Sequence, residues 1–239
     1  ISYKFEDFNK LYSELVSEKN GKLLSDFIGR VTTNHTYFYR EHSHFVLLNQ
    51  FVFPEFEKLL KTSSERKLRF WVSACSSGEE AYTLAMCLRF YFEKSGYSDR
   101  FCILATDISR KAIECAQRGI YRNSELKRLP QNLKSLYTRK IDEHHSEISD
   151  SIKPNVMFRS LNLVRESFPF NGKFDCIFLR NVMIYFDDKT KIQLLRQLIL
   201  LLNENGYLFI GKTETLPVKF QNLKTIYPSV FKKCEDYER

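Results

Sequence analysis

The sequence has no Cys-x-x-Cys pair, no Gly-x-Gly-x-x-Gly fingerprint, and no apolar run near the roughly 20 residues that a membrane-spanning helix needs. Runs such as residues 198–202 fall far short, so direct membrane insertion is not expected. No basic start followed by an apolar stretch and a small-residue cleavage site marks the N-terminus, which argues against secretion. The six cysteines (75, 87, 102, 115, 176 and 234) are scattered, and four of them lie in apolar or helical runs, where a reduced thiol packs as a small hydrophobe. A reducing, cytoplasmic compartment is the expectation. His42 and His44 lie close together without a second ligand pair at a metal-like spacing, so no metal site is expected. Acidic residues are the minority: 37 lysines and arginines against 29 acids leave a net charge of +8, which suits an acidic partner of some kind.

What is present is a change of period along the chain. Phe5, Phe8, Leu11, Tyr12, Leu15 and Val16 recur at helical spacing, and residues 23–28 repeat the pattern. Residues 1–50 therefore read as a helical segment and linker, the remainder of a helical domain. From Leu68 short apolar runs alternate with helical ones: LRFWVSA, a helix over 79–93, FCILATD, and a helix over 109–117. NVMFRSLNL, FDCIFLRN, a helix over 189–202, and YLFIGK continue the series. Such alternation implies βαβ units and an α/β domain with a parallel sheet over residues 51–239. The polar stretch over about 137–154 interrupts it and predicts an inserted β-hairpin, while LKTIYP and SVFKKC predict a closing antiparallel pair.

Two places carry chemistry. VSACSSGEEAYTLA sets small residues at a strand end, then Gly78, then Glu79 and Glu80 at a helix start. In an open α/β sheet the ligand crevice lies beyond the carboxyl ends of the strands, where small side chains let a ligand approach the backbone. Acids in a first helical turn also complement the helix dipole, so this string alone leaves both readings open. The next strand ends in ATDIS, placing Asp107 where an acid can accept the hydroxyls of a ribose or, alternatively, cap the following helix.

The strings RVTTNHTYFYRE, FWVSACSSGEEAYTLA, ILATDIS, Asn162-Leu163, FLRNVMIYFD and GYLFIGKTE occur together and in order. This resembles the chemotaxis-receptor methyltransferase (CheR) family over roughly residues 20–235. The resemblance implies a class I S-adenosylmethionine-dependent fold, with a mostly parallel seven-stranded sheet and a small inserted β-subdomain. It also implies that Asn34, Thr36 and Arg40 reach over the cofactor, with Glu79 or Glu80 and Asp107 beneath it. Asn162 and Leu163 would flank the adenine, Arg180 and Asn181 would line the end of the fourth strand, and Tyr185 would sit near the transferred methyl. Two departures are mild: Ala81 replaces a usual proline and Tyr39 a usual phenylalanine, so at most a modest effect on cofactor affinity is expected.

The activity implied is methyl transfer to glutamate carboxylates of the cytoplasmic helical domain of methyl-accepting chemotaxis receptors, leaving S-adenosylhomocysteine. Arg40 would hold the carboxylate, and Tyr185 would orient the carboxylate or the methyl group. A monomer is expected, without nucleic acid. A nucleic-acid methyltransferase would resemble its kind in a proline-rich tetrapeptide after the fourth strand, where this chain has LRNVMIYF. A silent cofactor-binding, receptor-docking module would need lost site residues, and none is lost. The insertion has no glycine and carries Asp142, Glu143, His144, His145 and Glu147 at its tip, features that disfavour capture of a receptor's C-terminal tail as an added strand. Direct recognition through Arg118, Arg122, Lys127 and Arg128 is expected instead.

Overall fold

A six-residue run such as FDCIFL, apolar at every position but Asp175, suits a strand covered on both faces, and all six residues are buried. The structure, a computed structural model, describes residues 7–17, 27 and 35–234, and forms such a strand there. Its main sheet has seven strands: β1 (Leu68–Val72), β2 (Phe101–Asp107), β6 (Val156–Ser160), β7 (Phe174–Leu179), β8 (Leu202–Ile210), β9 (Leu223–Tyr227) and β10 (Val230–Lys233). Their order is β6-β2-β1-β7-β8-β10-β9, with β10 the antiparallel member. Strand order reverses on either side of β1, so the crevice beyond β1, β2 and β7 is the place where this topology binds ligands.

Successive residues of the central strands face opposite layers. Phe70, Val72, Cys176, Phe178, Tyr207 and Phe209 join one core cluster, while Trp71, Ile177, Leu179, Leu208 and Ile210 join the other. The first cluster is covered by α2 (His42–Leu47), α3 (Phe53–Lys61) and α4 (Glu79–Glu93), and the second by α7 (Asp188–Leu201). A π-helical turn, Leu48–Val52, joins α2 to α3 without a break. Pro54 accounts for it, because a proline inside a helix has no N–H to donate backwards and its ring crowds the carbonyl four residues earlier. The helical run thus crosses residue 50, so a boundary at that point would cut through it.

The first expected helix forms as α1 (Phe8–Ser17), while residues 23–28 fall outside the described residues apart from Phe27. The interruption after α5 (Arg110–Arg118) is larger than a hairpin. It contains β3 (Ile120–Arg122), α6 (Gln131–Tyr137), β4 (Thr138–Lys140) and β5 (His145–Ile148), forming a second sheet ordered β3-β5-β4. The sheet begins earlier than residue 137 because β3 is only three residues long and carries no period-two signal. Glu147 lies within β5, where Arg139 and Lys153 hold it at 2.7 and 2.5 Å, and so is not at the tip. Asp142 at the turn accepts the backbone N–H groups of His144 and His145.

Candidate functional site

The ends of the three central strands are stitched together by small polar side chains. Ser73 Oγ donates to the Phe178 carbonyl at 2.8 Å, and Thr106 Oγ1 donates to the Ser73 carbonyl at 2.9 Å. Trp71 Nε1 donates to the same Thr106 oxygen. This fixes the floor of a cavity of about 480 Å3, within the range of about 300–1,000 Å3 typical of small-molecule sites.

Asp107 ends β2 with its carboxylate almost wholly buried, accepting Ser76 N–H at 2.8 Å and Ser109 N–H at 2.9 Å. The helix cap is a different residue: Ser109 Oγ accepts from Ala112 N–H and caps α5. Asp107 therefore faces the cavity as an acceptor with lone pairs to spare. Burial pushes its carboxyl above the ordinary value, and the N–H groups of Ser109, Ser76 and Ile108 offset that only in part.

Gly78 and Glu79 do not line the cavity, whereas Glu80 does. Gly78 has φ +97°, and a Cβ there would sit 2.8 Å from Ala116 Cβ and 3.0 Å from Tyr121 Oη, so this glycine serves the turn and its packing against α5. Glu79 is turned back onto Ser77, whose hydroxyl meets both carboxylate oxygens at 2.9 and 2.8 Å.

Arg180, at the end of β7, has a side chain with no exposed surface. Its Nη1 donates to Glu80 at 2.6 Å, and its Nη2 donates to the Arg40 carbonyl at 2.7 Å and to Glu41 at 3.1 Å. Burial pushes the Glu80 carboxyl up, against the pull of Arg180. Glu41 is also raised by burial, but Arg180, the Asn181 amide and the Lys212 N–H outweigh this and leave it lowered. Its left-handed backbone, φ +55°, swings the segment after Arg40 against the sheet. Glu214 does the same work from the other side, accepting the backbone N–H groups of Asn181, Met183 and Gly211. Only glycine fits at 211, since a Cβ would lie 2.7 Å from Asn181 Nδ2.

Of the residues singled out in the sequence, Thr36, Arg40, Glu80, Asp107, Asn162, Leu163, Arg180, Asn181 and Tyr185 surround this one cavity. Asn34 lies outside the described residues. Asn162 and Leu163 follow β6, with Asn162 Oδ1 accepting Val164 N–H at 2.9 Å to fix the turn. Tyr185 stands at the lip, 58% exposed. Glu41 and Glu214 went unnoticed in the sequence. Both occur in the strings FYRE and GKTE, yet nothing in spacing shows that a buried acid collects backbone donors from segments far apart in the chain.

The donor set fits a nucleoside with a charged tail. Asp107 offers acceptance to ribose hydroxyls, and Ile108, Leu163 and Val164 offer apolar walls to a base. The buried Arg180 Nε has no hydrogen-bond partner among the described residues. Changing Asp107 to Asn is expected to weaken S-adenosylhomocysteine binding about tenfold or more, as loss of a charge-assisted pair costs about 1.5–3 kcal/mol. The ionised carboxylate is the better acceptor. Wild-type affinity should therefore fall as pH is lowered through a value above the ordinary 3.8 of Asp, and the Asn variant should lack that slope. Titration calorimetry across pH checks both, and an unchanged affinity would remove Asp107 from the site.

Comparison with known proteins agrees with this geometry. The family described as CheR methyltransferase, SAM binding domain, matches residues 34–230. A chemotaxis protein methyltransferase of Borreliella burgdorferi is 39% identical over 229 residues, spanning 96% of this chain and 81% of that protein. The Salmonella typhimurium protein of the same name is 36% identical, spanning 91% and 72%, and that of Escherichia coli is 36% identical, spanning 87% and 70%. With a cavity lined by Asp107 at the switch point of a seven-stranded sheet and these relatives along most of its length, the chain belongs to the CheR methyltransferase family and is an S-adenosylmethionine-dependent methyltransferase.

Proposed function

We propose that the chain methylates glutamate side-chain carboxylates on the cytoplasmic helical domain of chemotaxis receptors, acting as a cytoplasmic monomer. When bound, S-adenosylmethionine supplies an electrophilic methyl group on a sulfonium. The observation that carries the acceptor assignment is Arg40: it lines the cavity, and its guanidinium has no carboxylate within 4.0 Å among the described residues. One donor is anchored on the His35 carbonyl at 2.6 Å, leaving the rest of the planar fork for an incoming carboxylate. A glutamate with a pKa of about 4.3 is already ionised at neutral pH, so the residues need only position it and exclude water, and no general base is required. Tyr185 at the lip supplies a hydroxyl toward the acceptor.

Arg118, Arg122, Lys127 and Arg128 are all exposed and lie in or beside the inserted sheet, which supports direct recognition of an acidic helical substrate. Among the described residues no helix is long and apolar enough to cross a membrane. The test is incubation with methyl-labelled cofactor and receptor cytoplasmic fragments at low and moderate salt. Label released as methanol by base, with transfer falling as salt rises, is expected. Base-stable label would mean an N-methyl product and would overturn the glutamate assignment.

A further inference from the structure

One aromatic ring joins the inserted sheet to the reacting end of the cavity. Tyr37 belongs to the segment leading into Arg40, and the Arg40 guanidinium carbon lies 5.7 Å from the Tyr37 ring centroid. The guanidinium of Arg128, from the short 3-10 turn Glu125–Arg128 within the insertion, lies 4.0 Å from the same centroid. Both distances are those of cation–π contacts. The two cationic carbons are therefore no farther apart than the sum of those distances. The ring is itself held in place, because Phe38 next to it is fully buried and packs edge-on against Tyr121 of β3 at 4.8 Å. Tyr121 in turn donates its hydroxyl to the Ser77 carbonyl at 2.6 Å, in the loop that carries the cavity's floor.

Two cations within that distance both attract an anion that comes between or beside them. Arg40 donates to the His35 carbonyl and feels the Glu80 carboxylate only at longer range, neither arginine has a carboxylate within 4.0 Å among the described residues, and Arg128 is exposed. Acidic side chains three or four residues apart on a helix have Cβ atoms about 5–6 Å apart, a spacing that two such guanidinium groups can meet together.

We propose that Arg128 is a specificity-determining residue that binds a second carboxylate of the substrate, one helical turn from the acceptor held by Arg40. This rests on the glutamate reading above and adds to it the kind of sequence the site prefers. A lone glutamate would be a poor substrate, and a glutamate with an acid three or four residues away would be a good one.

The experiment uses a receptor cytoplasmic fragment that accepts label, with a matched fragment in which the neighbouring acid is replaced by Gln. For the wild-type protein, kcat/KM is expected to fall about fivefold on that replacement, in the range of a partly exposed charge-assisted contact. Arg128→Gln should show the same fall on the original fragment, mostly in KM, and no further fall on the replaced one. Arg128→Lys should recover part of the loss, and affinity for S-adenosylhomocysteine should not change in any variant. Losses that simply add, an Arg128→Gln variant that treats the two fragments as the wild type does, or a loss of cofactor affinity would each overturn the inference. If no receptor fragment accepts base-labile label from the wild-type protein, the glutamate reading fails and this inference with it. If label is accepted without the coupling, only this inference fails.

Discussion

Replacing Arg180 with methionine is expected to lower the stability of the protein by about 3–5 kcal/mol, the cost of breaking a buried ion pair by removing one partner. The side chain has no exposed surface and its partners are 10% and 13% exposed, so the two carboxylates it leaves cannot recover full hydration. A destabilisation of that size corresponds to roughly 10 °C in melting temperature for a chain of this length. The loss should also depend on pH. Without Arg180, burial and the charges of Glu41 and Glu214 act on Glu80 against Arg40 alone, raising its folded-state pKa further above the ordinary carboxylate value. A group with a raised folded pKa contributes stability that is lost as pH rises through that pKa, so the variant should be closest to the wild type in mild acid and furthest at neutral pH. Adding Glu80→Gln should recover part of the loss, because it removes the uncompensated charge. Thermal melts of the single and double variants between pH 5 and pH 8, each about a unit apart, would show this. Equal melting temperatures for wild type and Arg180→Met would mean that the network contributes no net stability.

The same network shows where the sequence could be read and where it could not. The helix over 79–93 and the strand over 101–107 were legible to the residue, since periodicity is a local property and both elements are buried along most of their length. Asp107 was half legible: its place at a strand end leaves both the crevice and the cap of the next helix open, and the fold gives the cap to Ser109. Glu79 and Glu80 were not separable, as both stand in the first turn of α4 and only the helix's azimuth decides which one meets Arg180. The sheet of the insertion was half legible: β4 and β5 fall in one polar stretch, but β3 is separated from them by a helix and pairs across it. Glu41 and Glu214 could not have been read at all. Apart from the bond from Gly211 to Glu214, the hydrogen bonds to their carboxylates come from groups 31 to 171 residues away, and no spacing rule reaches across such distances.

Changing Arg40 to alanine is expected to lower kcat by between about tenfold and a hundredfold, the range for a charge-assisted hydrogen bond made to the reacting group. Affinity for S-adenosylhomocysteine should change far less, because an interaction made mainly as the carboxylate reaches the methyl shows itself in turnover. The structure supplies a reason for this division. Arg40 is anchored at the cavity through its carbonyl, which Arg180 holds at 2.7 Å, and this backbone contact survives any change of side chain. The segment that carries Arg40 should thus stay in place while the fork is lost. Arg40→Lys separates charge from geometry: it keeps the cation but cannot make the planar bidentate contact, so its kcat should fall between those of wild type and Arg40→Ala. Tyr185→Phe provides the contrast, since its hydroxyl stands at an exposed lip and should affect kcat less than Arg40 without altering the melting temperature. Steady-state kinetics with a receptor fragment, paired with calorimetric titration of S-adenosylhomocysteine, distinguishes these outcomes. If Arg40→Ala abolishes cofactor binding while the melting temperature holds, the guanidinium anchors the cofactor's own carboxylate, and the group that holds the acceptor must be sought elsewhere on the rim.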